Sequence, residues 1–533
     1  NLIGSGSLAQ MGDIVVGDLA RIGEFAGREG VSLGASDGEI TLGSGAQIGA
    51  ILSSGAVVLN GDLTVGSGAM IGSSGSPFAI AGQSVTLNGD LLLFSGALMD
   101  GPLGAIFGTN GIELSGRVSL REDAALGNLF ASSGDIQLGN GSTIFLNDAA
   151  QIGNIATGSA GDVEFNGALT LQAGSRIGDI TGSGVTFGGS VEVRPAAEIA
   201  SVTAYGSGSN ILFADTVVIG ADNSAEFTGT IGDLTAGSGS IVFTEQLILG
   251  SGAILGDLEA GNGIAFADAV ELGDAAQMAV NGGLTAGEPG IGFNLGLLLG
   301  NEAEVGPMTA DGVIFLNGNP SAAGNGDAIR TGANATLGSL ESTGSGVLLN
   351  GNLDLGDGSE LALASGIVAA TNLVIEGTTD LGSGAMVGAM TANGSGINLV
   401  GDVTLGNFAE IGAVAGSGGV LLASDGELSL GNSARIESLN DFASTSPTGA
   451  PNGIALGGSG VFLASGASIG SITGSGSVIF GDGAPTTLGS GASIGDITTY
   501  SGSITFSGNL TLESGASIGD LTAASGVFFD GTV

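Results

Sequence analysis

The side chains of this chain that could do chemistry are carboxylates and carboxamides set at recurring places. Asn128, Asn154, Asp179, Asp233, Asp257, Asp496 and Asp520 each follow an Ile-Gly or Leu-Gly pair, while Asp62, Asp90, Asn352, Asp402 and Asn509 precede short apolar triplets. Two chemistries suit such positions. Asx oxygens accept hydrogen bonds from the backbone of their own turn, and stacked Asn residues pair in ladders. Carboxylates repeated along one line could instead hold Ca²⁺, which takes oxygen ligands and would relieve the repulsion between neighbours. On that reading the metal-site residues are Asp179, Asp233, Asp257, Asp496 and Asp520. The dense Asp spacing of a calcium-binding loop is missing, so the turn role is the expected one. No cofactor is expected, calcium being the single candidate.

Most other chemistries lack their reagents. The chain has no His and no Cys, and its eight basic residues are all Arg. The usual general base, zinc ligands, thiol nucleophile and phosphate-binding Gly-Lys-Ser/Thr loop are therefore absent. Gly-x-Gly-x-x-Gly matches say nothing where Gly fills 107 positions. A glycosidase needs only carboxylates. However, Arg21/Arg28 and Arg117/Arg121, the only close Arg groupings, stand beside no Asp cluster. An enzyme is not expected. The Asn-x-Ser/Thr matches at Asn140, Asn334, Asn393 and Asn509 arise by chance in so Gly-, Ser- and Asn-rich a sequence.

The elements that must position these residues are short and repeated. Ile48 and Ile71, Ile469 and Ile494, and Ile494 and Ile518 lie 23 to 25 residues apart, each in a phrase such as Leu512-Glu513-Ser514-Gly515-Ala516-Ser517-Ile518-Gly519-Asp520. A period of that length implies a solenoid. Leu510-Thr511-Leu512 alternates as a half-buried strand, and Gly-Ser-Gly-Ala turns the chain. In Ile518-Gly519-Asp520-Leu521 the apolar residues are three apart, so the Gly-Asp pair must bend the backbone if both point inward. A third strand follows, with inward positions filled by Val163/Phe165, Val185/Phe187, Ile211/Phe213, Ile241/Phe243, Ile264/Phe266, Val313/Phe315, Val478/Ile479/Phe480 and Ile504/Phe506. Leu replaces Phe at Val57/Leu59, Val85/Leu87, Val347/Leu349 and Val461/Leu463. The outward Thr residues Thr64, Thr86, Thr170, Thr404 and Thr511 are interrupted by Leu92, Glu192 and Asp354, so they reflect strand propensity rather than an ice-binding face.

Composition agrees with this reading. A chain of 533 residues exceeds a single globular core, a limit that stacking in one dimension escapes. The 43% apolar content opposes disorder despite a net charge of −43. That charge disfavours nucleic acid and anionic lipid, and keeps an apolar chain soluble. No stretch approaches the roughly 20 apolar residues of a membrane span, so no membrane insertion by this segment is expected. Without Cys there is no disulfide framework to read. The chain opens on Asn1 inside the phrase and stops at Val533 just after a third strand. These ends are expected to be uncapped, marking a processed or excised piece or an end-to-end contact.

The expectation is an all-β chain: one continuous parallel β-solenoid (β-helix) over residues 1–533, of about 22 coils, each of about 22–27 residues and three short strands. Almost no helix is expected. Shorter irregularities fall at 73–77 and 99–104, and larger insertions near 279–331 and 440–452.

Motifs such as Gly508-Asn509-Leu510-Thr511-Leu512-Glu513-Ser514-Gly515-Ala516 resemble the secreted bacterial β-solenoid surface proteins: autotransporter passengers, filamentous-haemagglutinin-like adhesins and β-strand repeat proteins. The resemblance covers essentially the whole chain and implies an elongated extracellular or cell-surface role. The expected function is structural and non-catalytic, forming or extending a fibre, sheath or layer. Its partners would be further copies of itself, associating end to end or laterally. The alternative is an adhesin stalk that binds a ligand through its insertions.

Overall fold

The structure, a computed structural model, describes every residue except 1, 5, 6, 11, 35–37, 74, 159, 207, 221–228, 319–325 and 443–452. It divides into two units, Asn1–Gly261 and Asn262–Val533, each wound as a parallel β-solenoid. No helix occurs among the described residues, and consequently none long and apolar enough to cross a membrane.

One coil of the first unit shows why the phrase folds as it does. Leu169–Leu171 forms a strand of sheet C with both leucines inward and Thr170 outward. The chain turns and enters sheet A as Arg176–Gly182, where Ile177 and Ile180 are buried although three residues apart. The Gly178-Asp179 pair makes that bend, as the broken alternation requires. Val185–Phe187 then forms a strand of sheet B with Val185 and Phe187 inward. The next strand, Val191–Val193, lies parallel on Leu169–Leu171. In other coils the bent strand is split, as in Ser493–Ile494 and Ile497–Thr499. Among the described residues the strand pairs are parallel and join one coil to the next, as in Val163–Phe165 with Val185–Phe187 and Val420–Leu422 with Gly453–Leu456.

The inner column of sheet B carries the largest fully buried side chains. In the first unit Phe165, Phe187, Phe213 and Phe243 are at most 1% exposed. Their successive ring centroids are 4.8, 4.6 and 4.6 Å apart. That spacing is the strand separation of a sheet, about 4.8 Å, so the rings stack because the coils do. In the second unit Phe266 and Phe293 stack at 4.5 Å and Phe480 and Phe506 at 4.6 Å.

Three details correct the sequence reading. Val313 and Phe315 face outward, and Ile314 and Leu316 are the buried pair of Val313–Asn317. Leu316 sits over Phe293. The run Val313-Ile314-Phe315-Leu316 is apolar in both phases, so alternation could not choose between them, and a one-residue slip reverses every side chain. Val461 and Leu463 are inward but belong to sheet C, while Ile454 and Leu456 fill the sheet B position of that coil. Thr86 likewise lies in sheet B, over Val58.

Among the described residues sheet B holds 21 strands and sheet C 20, close to the expected number of about 22 coils, and coil length varies. Registered partners are 22 residues apart at Leu169 and Val191 but 34 apart at Val420 and Ile454, a coil that contains residues 443–452. Residues 443–452 and 319–325 of the expected insertions lie outside the described residues. Residues 279–318 carry strands in register with the neighbouring coils, including Gly290–Phe293 and Leu297–Leu299. Around 99–104, the strands Leu98–Met99 and Gly104–Gly108 flank an ordinary sheet A corner.

Candidate functional site

The corner Asx residues join adjacent coils. Asp402 Oδ1 accepts the backbone N–H of Glu427 at 2.9 Å, and Asp357 Oδ1 that of Ser383 at 2.7 Å. Asn128 accepts from Asn154 at 2.8 Å, and Asn154 from Asp179 at 3.0 Å. Asp62 accepts from Asp90, and Asp90 in turn from Arg117. The expected bond to the residue's own turn occurs at Asp100, Asp215 and Asp268. Elsewhere the next coil's amide lies directly above the carboxylate and takes its place. Side-chain amide ladders form as well, from Asn88 Nδ2 to Asn60 Oδ1 at 3.0 Å and from Asn350 Nδ2 to Asn317 Oδ1 at 2.9 Å.

These bonds explain a share of the glycines. A Cβ on Gly178 would sit 2.2 Å from Asn154 Oδ1, and one on Gly426 would sit 2.6 Å from Asp402 Oδ1 and 2.5 Å from its amide nitrogen. Gly43, Gly153, Gly256, Gly382 and Gly519 stand in the same relation to an Asx oxygen of the preceding coil. Each is the residue just before the donor, so the pattern is Gly-Xaa above Asx.

The five carboxylates considered for calcium occupy this line. Asp179 Oδ1 accepts from Ser201 Oγ at 2.8 Å, and Ser201 lies over Asp179 in sheet A. Asp233 Oδ1 accepts the amide of Asp257, and Asp496 Oδ1 that of Asp520, both at 2.9 Å. The corners thus bring carboxylates together in pairs, Asp233 with Asp257 and Asp496 with Asp520. One oxygen of the lower partner is already engaged. No group of three or more His, Cys, Asp or Glu able to hold a metal occurs among the described residues.

A feature the sequence reading missed lies beside this line in the first unit. An open groove of about 450 Å³ runs along the bend of sheet A, lined by Asp100, Leu103, Gln151, Asn154, Arg176 and Asp179 among others. Next to it Phe78, Phe107 and Phe130 stack on the outer surface, with centroids 4.8 and 5.8 Å apart. Phe130 is 37% and Leu103 64% exposed. The signal was available: Phe107 and Phe130 fall in the outward phase of their strands. The groove offers carboxylate, amide and guanidinium groups along a strip of exposed hydrocarbon.

The outer face of sheet C in the second unit concentrates charge. Asp354 stands between Arg330 and Asp380 in consecutive coils. Partial burial pushes the Asp354 carboxyl above the ordinary range, Asp327 and Asp380 add to the rise, and Arg330 opposes it. Arg330 Nε lies 3.7 Å from Asp354 Oδ2. Arg117–Asp90, Arg176–Glu198, Arg194–Glu192 and Arg435–Glu410 are the other ion pairs among the described residues. Compared with protein-family models, curated proteins and solved structures, the chain matches none of them.

Proposed function

We propose that the chain is a structural, non-catalytic component of an extracellular fibre, sheath or layer, built by adding coils in register. The observation that carries this reading is the parallel register of successive coils, each strand laid on its equivalent one coil earlier, as in Val185–Phe187 on Val163–Phe165 and Ile504–Phe506 on Ser477–Phe480. A stack of that kind extends in one dimension by repeating the same contacts, which suits an elongated structural element. The acidic surface keeps such a stack soluble and discourages random lateral contact. Placement outside the cell rests on the likeness of the repeats to secreted bacterial β-solenoids.

Electron microscopy of the purified chain over a range of concentrations tests the reading. Filaments that lengthen with concentration are expected. Single particles of one length at every concentration would overturn assembly and favour an adhesin stalk. The groove beside the outer Phe78–Phe107–Phe130 stack supports that second reading as a place where a ligand could lie.

A further inference from the structure

At the corner where sheet A passes into sheet B, the second unit places small residues on the inner side. Ala369, Ala392 and Gly416 follow one another in register. The next coil breaks the series with Asp441, which lies over Gly416. Thr473 lies over Asn440, which sets Gly474 above Asp441. Glycine on both sides makes the room the carboxylate occupies.

Asp441 is only 4% exposed. Its Oδ2 accepts the hydroxyl of Ser475 at 2.5 Å and the Ser475 amide at 3.3 Å. Its Oδ1 is fully enclosed and meets no hydrogen-bond donor among the described residues. No ion pair among those residues involves Asp441, and Arg435 at the start of the same strand is turned to Glu410. A carboxylate withdrawn from water with one oxygen unpaired is an expensive arrangement that a suitable donor would relieve.

Asp441 lines a pocket of about 480 Å³ together with Asn440, Phe442, Thr473, Ser475 and Tyr500. Phe442 and Tyr500 are 56% and 72% exposed. Their amides bond Gly416 and Gly474, the equivalent carbonyls of alternate coils. The two aromatic residues therefore flank Ser475 at a backbone separation of two strand spacings, about 9.6 Å. A carboxylate at the base with an aromatic side chain on either side is the chemistry that recognises an organic cation. A divalent metal wants several oxygen ligands, and no carboxylate cluster surrounds Asp441 among the described residues. A neutral sugar could stack on the rings but would leave the charge uncompensated.

We propose that this pocket binds an ammonium or guanidinium group, carried by a small polyamine or by a Lys or Arg side chain of a partner protein. A partial turn of the carboxylate about its Cβ–Cγ bond, which gives up the 3.3 Å contact with the Ser475 amide and keeps the Ser475 hydroxyl on Oδ2, brings Oδ1 to the pocket, where the cation donates to it and packs between Phe442 and Tyr500. The net charge of −43 raises the local concentration of such ligands.

Isothermal titration calorimetry on the full chain tests this with spermidine as the free amine, with short Lys- and Arg-containing peptides, and with a neutral cello-oligosaccharide. Saturable one-site cation binding is expected at 0.15 M salt. Asp441→Asn, which keeps the size of the side chain and its bond to Ser475, should weaken binding about tenfold or more, as loss of a charge-assisted hydrogen bond does. Tyr500→Ala should weaken it without altering the melting temperature, and Asp482→Asn, at an exposed acidic residue outside the pocket, should leave it unchanged. Binding of the amine but not the peptides assigns a small-molecule ligand, whereas peptide binding assigns a protein partner. Equal affinity in Asp441→Asn, many-site binding that salt removes, or binding of the sugar alone each overturns the proposal. Filament formation does not enter these readouts, so failure here is distinct from failure of the assembly reading.

Discussion

Where Asp402 Oδ1 accepts the amide of Glu427, two residues one coil apart act as a unit with Gly426. The carboxylate occupies the space a Cβ on Gly426 would take, so the pair should respond asymmetrically to substitution. Asp402→Asn keeps the acceptor and should change stability by under about 0.5 kcal/mol, whereas Asp402→Ala orphans the amide and should cost about 1 kcal/mol, as removal of a capping acceptor does. Gly426→Ala should cost more, about 1–3 kcal/mol, because the new methyl group meets both the oxygen and the Asp402 backbone nitrogen. Urea unfolding of the three variants gives the order, and an Asp402→Ala loss equal to that of Asp402→Asn would remove the hydrogen bond from the argument. The sequence marks these Asx corners, since Gly and Asx favour turns, but it does not show which amide each oxygen meets. That depends on the register of the next coil. Asp441 was hidden for the same reason. In Arg435-Ile436-Glu437-Ser438-Leu439-Asn440-Asp441 it looks like one more polar surface residue, and only the small residues stacked with it reveal an inward position.

The strand that most determines the interior is the Val-x-Phe strand of sheet B. Phe213 is packed between Phe187 and Phe243 with both centroids at 4.6 Å and interplanar angles of 1° and 3°. Coils elsewhere use Leu at this place, for example Leu138 directly beneath Phe165. Phe213→Leu should therefore be tolerated at under about 1.5 kcal/mol, while Phe213→Ala should cost about 3–5 kcal/mol through lost burial and the cavity left between two rings. Because coils contact only their neighbours, the loosening should be local. Amide exchange should rise in the strands around Val185–Phe187, Ile211–Phe213 and Ile241–Phe243, and uniform acceleration throughout the chain would argue against a column whose energetics are nearest-neighbour. This column was legible because Phe recurs in a fixed phase after a Gly or Ser turn. It failed at Val313–Asn317, where four successive apolar residues erase the phase, and at Val461, where a Gly-rich stretch blurs which strand of the coil is being read.

Across the whole molecule the charge balance is lopsided: 51 acidic residues face eight Arg, and five ion pairs among the described residues engage only a small part of that excess. Exposed pairs of this kind contribute about 0–1 kcal/mol each, whereas stacking places like charges one strand spacing apart, as at Asp354 and Asp380. Repulsion should therefore dominate, and screening it should stabilise the fold. Between about 0.01 and 0.5 M NaCl the Debye length falls from about 30 Å to a few ångströms, and the melting temperature should rise with it. Acid should act in the same direction at Asp354. Burial holds its folded-state carboxyl above the ordinary aspartate value of 3.8, so the folded form binds a proton more readily than the unfolded chain. Ionisation then opposes folding, and stability should be regained as pH falls from neutral through the raised value towards 3.8. Asp354→Asn should raise the melting temperature at pH 7 and flatten that acid-side gain. The measurement is a grid of melting temperatures over salt and pH, kept above the sequence pI of about 4.1 where loss of charge invites precipitation. A melting temperature that falls with added salt would mean that the few Arg pairs outweigh the crowded carboxylates, and the electrostatic account would have to be reversed.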